Sequence, residues 1–324
     1  MTDINQATSD LRRRDQAAAP HLALIAVQIL FGTWAIIGKI ALRSFTTTEL
    51  VALRVGGAAI AFLFLRGVLG NKPITRKSDY ARLALYSLLG VVLNQLLFVK
   101  ALTLTTAINA TLLGTTIPVF ALIVGIMLGY ERASLNKAFG ILLAACGVIY
   151  LVNPFRADFS GSNKLGDMLL IANSLCYGAY IAISKDLLKR YDALTVIGWL
   201  FVMASIVTVP FGIISPGTSP AQHIGAGAWL AVLYIIIAPT VGAYYLNGWA
   251  LARVAPSTVA VYIYFQPLVA FALAPLILGE TWNSRTWIAS ALIFAGVVIV
   301  TRRASNRQRT LLKEVSEQPD ALGH

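Results

Sequence analysis

The stretch LGYERASLNKAFGILLAACGVIYLV, residues 128–152, has a second copy in LGETWNSRTWIASALIFAGVVIVT, residues 278–301. Aligning Glu280 with Glu131 also sets Gly296 on Gly147, Pro267 on Pro118 and Ala250-Leu251 on Ala101-Leu102, without a gap and at one offset of 149 residues. Earlier in the chain the match is weaker and the offset is 146, with Gly178 on Gly32, Lys185 on Lys39 and Leu188 on Leu42. Repetition at this scale means one folding unit written twice.

Composition says what kind of unit. Of 324 residues, 57% are hydrophobic and 12% charged, and the mean hydropathy is +0.73. A soluble domain carries about 25% charged residues, so the chain reads as an integral membrane protein. Apolar stretches recur at 22–42, 49–69, 81–101, 107–129, 136–152, 166–188, 193–214, 228–250, 256–278 and 285–302. Each is near the ~20 residues that a helix needs to cross ~30 Å of hydrocarbon. The expected fold is therefore all-α: a polytopic membrane protein with ten transmembrane helices.

The net charge of +12 would suggest nucleic acid in a soluble chain. Its distribution argues otherwise. With the N-terminus in the cytoplasm, 19 of the 26 basic residues fall in the inside segments, among them Arg12–Arg14, Arg76, Lys77, Arg132, Lys189, Arg190 and the run after Thr301. That bias orients the protein with both termini cytoplasmic in a cell inner (plasma) membrane and needs no nucleic acid. Residues 1–21 and 303–324 read as polar tails, the first disordered. Residues 22–152 and 166–302 form the two repeats, with 153–165 an external linker. Cys146 and Cys176 are the two cysteines and both lie within helices, so no disulfide framework or metal site is expected. No cofactor is expected either. An intramembrane enzyme would need a nucleophile with a base, or a metal cluster; His21, His223 and His324 lie at helix ends, in loops or at the terminus.

The Glu131 loop follows the fourth expected helix and the Glu280 loop the ninth. Five crossings separate them, an odd number, so the two five-helix repeats are inverted relative to each other. Inverted repeats belong to secondary transporters that alternate between inward-open and outward-open states. At these residues the chain resembles the EamA-type members of the drug/metabolite transporter superfamily. The resemblance rests on ILFGTWAIIGKIAL (29–42), on ALTLTTAINATLLGTTIPVFALIVGIMLGYERASLNKAFGILLAACGVIYL (101–151) and on GWALARVAPSTVAVYIYFQPLVAFALAPLILGETWNSRTWIASALIFAGVVIV (248–300). It covers about residues 22–302. It implies ten helices, both termini inside, and a central path lined by helices 1, 3, 4, 6, 8 and 9, with 5 and 10 peripheral.

Polar side chains at membrane depth are expensive unless they face protein or water. Gln28, Gly32, Ala35 and Lys39 share one face of helix 1. Lys39 has two readings, contact with an anionic substrate group or snorkelling to the interface. Arg54 is expected to find a structural partner such as Glu49 or helix-end carbonyls. Asn94, Gln95, Asn109, Thr115, Tyr244, Asn247, Tyr262 and Gln266 offer amides, hydroxyls and phenols that can bind a polar solute, or simply join helices. Tyr262 and Gln266, at i and i+4, are the leading pair. With Trp34, Tyr177 and Tyr180 these residues complete the candidate substrate-binding set. Pro118 and Pro267, expected inside helices 4 and 9, are gating candidates or packing bends. Glu131 and Glu280 are expected to pair with loop cations or cap helices 5 and 10. The function expected is secondary transport of a small organic metabolite, such as an amino acid or related zwitterion, in the direction of export. A channel-like facilitator for a small polar solute is the alternative. The partners expected are that solute and the lipid bilayer, with the protein a monomer or homodimer.

Overall fold

The computed structural model describes residues 2–70, 73–129, 134–152, 162–215, 224–251, 253, 262–263, 265–296 and 298–299. The helices are α1 (Thr2–Ala41), α2 (Thr47–Leu69), α3 (Lys77–Leu102), α4 (Ala107–Met127), α5 (Leu135–Val152), α6 (Ser162–Arg190), α7 (Ala193–Ile214), α8 (Ala226–Ala250), α9 (Phe265–Leu278) and α10 (284–296), and no strand occurs among the described residues. Seven segments are long and apolar enough to cross a membrane: Ala18–Ala41, α2, α3, α4, Asn163–Ser184, α7 and α8. Where the other three spans are expected, the described helices are α5, α9 and α10, and residues 297 and 300–302 of the expected tenth span lie outside the described residues. Residues 254–261 of the expected ninth span lie outside the described residues.

Helix α1 starts at Thr2, well ahead of the expected span. The first 21 residues, expected as a disordered tail, are helical in the structure from Thr2 onward. Propagating a helix from an existing one avoids the nucleation cost, and the Arg12–Arg14 and Ala17–Ala19 runs are good helix formers. Helix α2 opens with a capping box: Glu49 N donates to Thr46 Oγ1 at 3.3 Å and Thr46 N donates to Glu49 Oε2 at 2.8 Å. That use of its carboxylate replaces the expected pairing with Arg54.

The two copies pack against each other reciprocally. A Cβ on Gly147 of α5 would lie 2.7 Å from Ile293 Cγ1, and one on Gly296 of α10 would lie 2.4 Å from Ala144 N. Gly147 and Gly296 are equivalent at the 149-residue offset, as are Ala144 and Ile293. When residue i of one half meets j of the other and their equivalents exchange places, the contact has two-fold character. These glycines serve close helix approach.

A second shared feature was not legible beforehand. Helix α3 widens into a π-helical turn at Leu88–Leu93 and α8 at Ile236–Gly242; shifting the first by 149 residues puts it at 237–242. Weak helix formers occupy equivalent places in both, Gly90 and Pro239, and Pro239 has no N–H to give. Thr240 Oγ1 donates to Ile235 O at 2.7 Å within the wide turn. The perimeter of the bundle is apolar. Ile60, Phe64, Ile213, Ile214 and Leu276 are each at least 69% exposed, as lipid-facing side chains are when the backbone satisfies itself within helices.

Candidate functional site

A central cavity opens where α1, α2, α3, α4, α6, α8 and α9 converge, and offers about 120 Å³ to the centre of a water-sized sphere. One water needs about 10–15 Å³ of such space, so a small solute fits. Helix α1 supplies Gln28, Phe31 and Trp34; α3 supplies Asn94, Gln95 and Phe98; α6 supplies Asn173, Tyr177 and Ile181; α8 supplies Tyr244 and Asn247. Spacings of three or four residues set these side chains on one helix face, with the adjacent Asn94 and Gln95 both within three or four residues of Phe98. Helix α4 adds Ala110, Thr111, Gly114 and Ile117, and Ile263 and Gln266 complete the wall. The expected lining helices are all present. Helix α2 was not expected there, and it contributes Arg54.

Arg54 is 1% exposed and tied to both halves. Its Nε donates to Thr240 Oγ1 at 2.7 Å and its Nη1 donates to Gln95 Oε1. The guanidinium carbon lies 4.0 Å from the Trp34 ring centroid, in cation–π range. Gln95 Nε2 donates onward to Tyr244 Oη at 3.3 Å and Asn94 Oδ1 at 3.1 Å. Gln95 and Tyr244 are equivalent positions at the 149-residue offset, so repeat-related side chains meet directly.

Of the sequence-predicted set, Gln28, Trp34, Asn94, Gln95, Tyr177, Tyr244, Asn247 and Gln266 come together on the wall. Gln266 Nε2 donates to Gln28 Oε1 at 2.6 Å, joining α9 to α1. Tyr262 does not share that face. Its Oη is 2.8 Å from His21 Nδ1, because the helix that holds Gln266 begins at Phe265 and an i, i+4 relation requires unbroken helix. Tyr180 is off the wall, packed on Gly90, whose Cβ would lie 2.7 Å from the Tyr180 ring. Thr115 is fully buried, with its Oγ1 donating to Leu112 O at 2.7 Å.

Pro118 and Pro267 also sit differently from expectation. Helix α4 breaks at Thr115-Thr116 and resumes at Ile117, so Pro118 lies in a first turn. Pro267 is the third residue of α9. Both occupy positions where a missing N–H costs nothing, and neither bends a continuous helix.

Lys39 and Asn109 belong to a cluster at the end of the bundle where α1 stops and α4 starts. Lys39 Nζ lies 3.1 Å from Glu280 Oε1. Glu280 accepts from Ala107 N at 2.8 Å and Ile108 N at 3.1 Å. It thus caps α4 rather than α10, whose first turn is capped by Asn283 Oδ1 accepting from Thr286 N at 2.7 Å. Glu131 lies outside the described residues. Next to the Glu280 cap at the start of α4, Asp167 is 4% exposed and accepts from Thr105 Oγ1 at 2.6 Å and from Asn109 Nδ2 at 3.3 Å. At the opposite end, Asp79 accepts from Arg190 Nη1 at 2.7 Å and Tyr191 Oη at 2.8 Å. Sequence reasoning missed Asn173, Phe98 and Asp167; for Asn173 the signal was its four-residue spacing to Tyr177.

A two-fold helical membrane bundle enclosing a polar-aromatic cavity defines a solute-handling membrane protein. The model of the EamA-like transporter family matches residues 19–153 and again 164–302, and the chain belongs to that family. It is a multi-pass membrane transporter. An uncharacterized transporter of Archaeoglobus fulgidus is 29% identical over 287 residues, 87% of this chain and 97% of that one. The uncharacterized inner membrane transporter YedA of Escherichia coli is 26% identical, over 86% of this chain and 89% of its own. A protein named "Probable terminal-alkyne amino-acid exporter" in Streptantibioticus cattleyicolor is 25% identical, over 84% and 89%. A solved crystal structure matches with a TM-score of 0.63 at 18% identity, over 89% of this chain and 99% of the other, which shows a shared fold.

Proposed function

We propose that the chain is a secondary transporter that moves a small organic metabolite, of the amino-acid kind, out of the cytoplasm by alternating access. The observation that carries this is the cavity bounded by equivalent parts of two reciprocally packed halves, in a member of the EamA-like transporter family. In this reading ten helices cross the inner membrane as two inverted five-helix repeats, 22–152 and 166–302, with both termini cytoplasmic. The Lys39–Glu280 cluster then lies at the outer end and Asp79–Arg190 at the inner end. The wall residues Gln28, Asn94, Asn247 and Gln266 hydrogen-bond the solute while Phe31, Trp34 and Tyr177 cover its apolar part. The relative named as an amino-acid exporter supports the substrate class.

Counterflow tests it. Proteoliposomes loaded with unlabelled amino acids and challenged with a labelled one should show saturable uptake that accelerates with internal solute, because a carrier must return its site before the next cycle. Flux that does not saturate and is indifferent to internal solute would remove the carrier reading and favour the channel-like facilitator.

A further inference from the structure

We infer that the solute carries a carboxylate and that Arg54 selects it, an inference that rests on the transporter reading above. Among the described residues, Arg54 is the one formal charge on the cavity wall. An arginine cannot escape burial by giving up its proton, and a buried cation without a counter-charge is costly. The described carboxylates lie elsewhere: Glu49 caps α2, Asp79 holds Arg190, Asp167 accepts from Thr105 and Asn109, Asp192 caps α7, Glu280 holds Lys39, and Asp186 is exposed and off the cavity wall. The partners that Arg54 has are neutral, Thr240, Gln95 and the Trp34 ring. They orient the guanidinium and use two of its five N–H donors, but they do not cancel its charge.

The counter-charge therefore comes from what enters the cavity. The bonds to Thr240 and Gln95 leave three N–H donors on Nη1 and Nη2, and a planar guanidinium can engage a carboxylate through two parallel hydrogen bonds. With no second cation on the described wall, a monoanionic group fits better than a phosphate dianion. The amide oxygens of Gln28 and Asn94 each accept one hydrogen bond within the wall and keep a second lone pair, which with Asn247 can take an ammonium or hydroxyl on the same solute. The position also suits transport: Arg54 bridges α3 and α8, the repeat-equivalent helices, so a solute bound there is approached from either half.

The test compares acids with their amides. Full-length protein purified in detergent is melted with L-leucine or L-leucinamide, L-phenylalanine or L-phenylalaninamide, and 3-phenylpropionate or its amide, at constant chloride. At least one acid should raise the unfolding temperature, and its amide should need about ten-fold or more higher concentration for the same shift, the usual worth of a charge-assisted hydrogen bond. Arg54→Gln should abolish the difference between acid and amide. If that variant does not fold, Arg54→Lys keeps the charge without the fork and should retain the preference for the acid at weaker affinity. Amides that stabilise as well as acids, a shift reproduced in full by raising chloride alone, or no shift with any acid would each overturn the assignment. Counterflow separates this from the reading beneath it. Exchange of amides or cationic solutes in preference to acids sinks the role of Arg54 and leaves the transporter standing, whereas loss of all saturable exchange strikes the transporter itself.

Discussion

Replacing Glu280 with glutamine should loosen the end of the bundle where α1, α4 and the α9–α10 connection meet. The wild-type carboxylate does two things there: it pairs with Lys39 at 3.1 Å and accepts from the first two N–H groups of α4 at 2.8 and 3.1 Å. The pair is largely shielded, at 24% and 8% side-chain exposure, so it is screened less than a surface ion pair. Glutamine keeps one acceptor for the helix but removes the charge from both interactions. A hydrogen bond to a charged group is worth about 1.5–3 kcal/mol; with partial exposure of Lys39 and one acceptor retained, we expect a loss of about 1–3 kcal/mol. If the cluster holds one of two transport states closed, that is a shift of roughly 5–150-fold in their ratio. The assay is the rate at which a cysteine placed at Thr111, on the cavity wall, reacts with an impermeant reagent added outside. It should rise several-fold or more in Glu280→Gln and by a similar factor in Lys39→Gln. The charge swap Lys39→Glu with Glu280→Lys should not restore the wild-type rate, because a cation cannot cap a helix N-terminus. Unchanged labelling in Glu280→Gln, or full rescue by the swap, would refute the reasoning.

Three further outcomes follow from the packing. Gly296→Ala should lower thermal stability by about 1–3 kcal/mol, since its Cβ meets the Ala144 backbone rather than a movable side chain, whereas Gly67→Ala, with nothing within 4 Å, should be neutral or slightly stabilising; equal melting temperatures would contradict the close α5–α10 contact. Arg190→Ala should lower the melting temperature by taking the charged donor from Asp79 and leaving it the Tyr191 hydroxyl, and adding Asp79→Asn should recover part of the loss, as a double-mutant cycle on melting would read. Cysteines at Ser134 and Asn283 should differ in labelling by an impermeant reagent on intact cells, Asn283 reacting and Ser134 not; equal reaction would break the inverted arrangement.

Long apolar periods and the 149-residue repeat made most helices and eight of the wall residues readable, because burial and spacing are local properties of a chain. What was not readable depended on competition between partners. Glu49 stands five residues before Arg54 and looked available, yet the local capping box with Thr46 takes it. Arg54 then finds Gln95 and Thr240, 41 and 186 residues away, at separations no spacing rule reaches. Tyr262 and Gln266 satisfied the helical spacing, but that face exists only where the helix is continuous, and α9 begins at Phe265. Asp167 carried no signal of its own in the sequence. Its burial comes from Thr105 and Asn109, which belong to the preceding repeat.

The wide turns in α3 and α8 aim the cavity wall. Each carries one residue more than regular α-helical winding would place there, and each lies just ahead of the side chains that line the cavity, Asn94, Gln95 and Phe98 in one half and Tyr244 and Asn247 in the other. Removing one residue from either turn would rotate everything beyond it by about 100° and draw it back by about 1.5 Å, turning the polar wall toward its neighbours. The two turns read LLGVVL and IIAPTVG, with little sequence in common. The same widening is thus reached by different residues at equivalent positions of the two halves, and a change in the length of either turn is a change in the cavity itself.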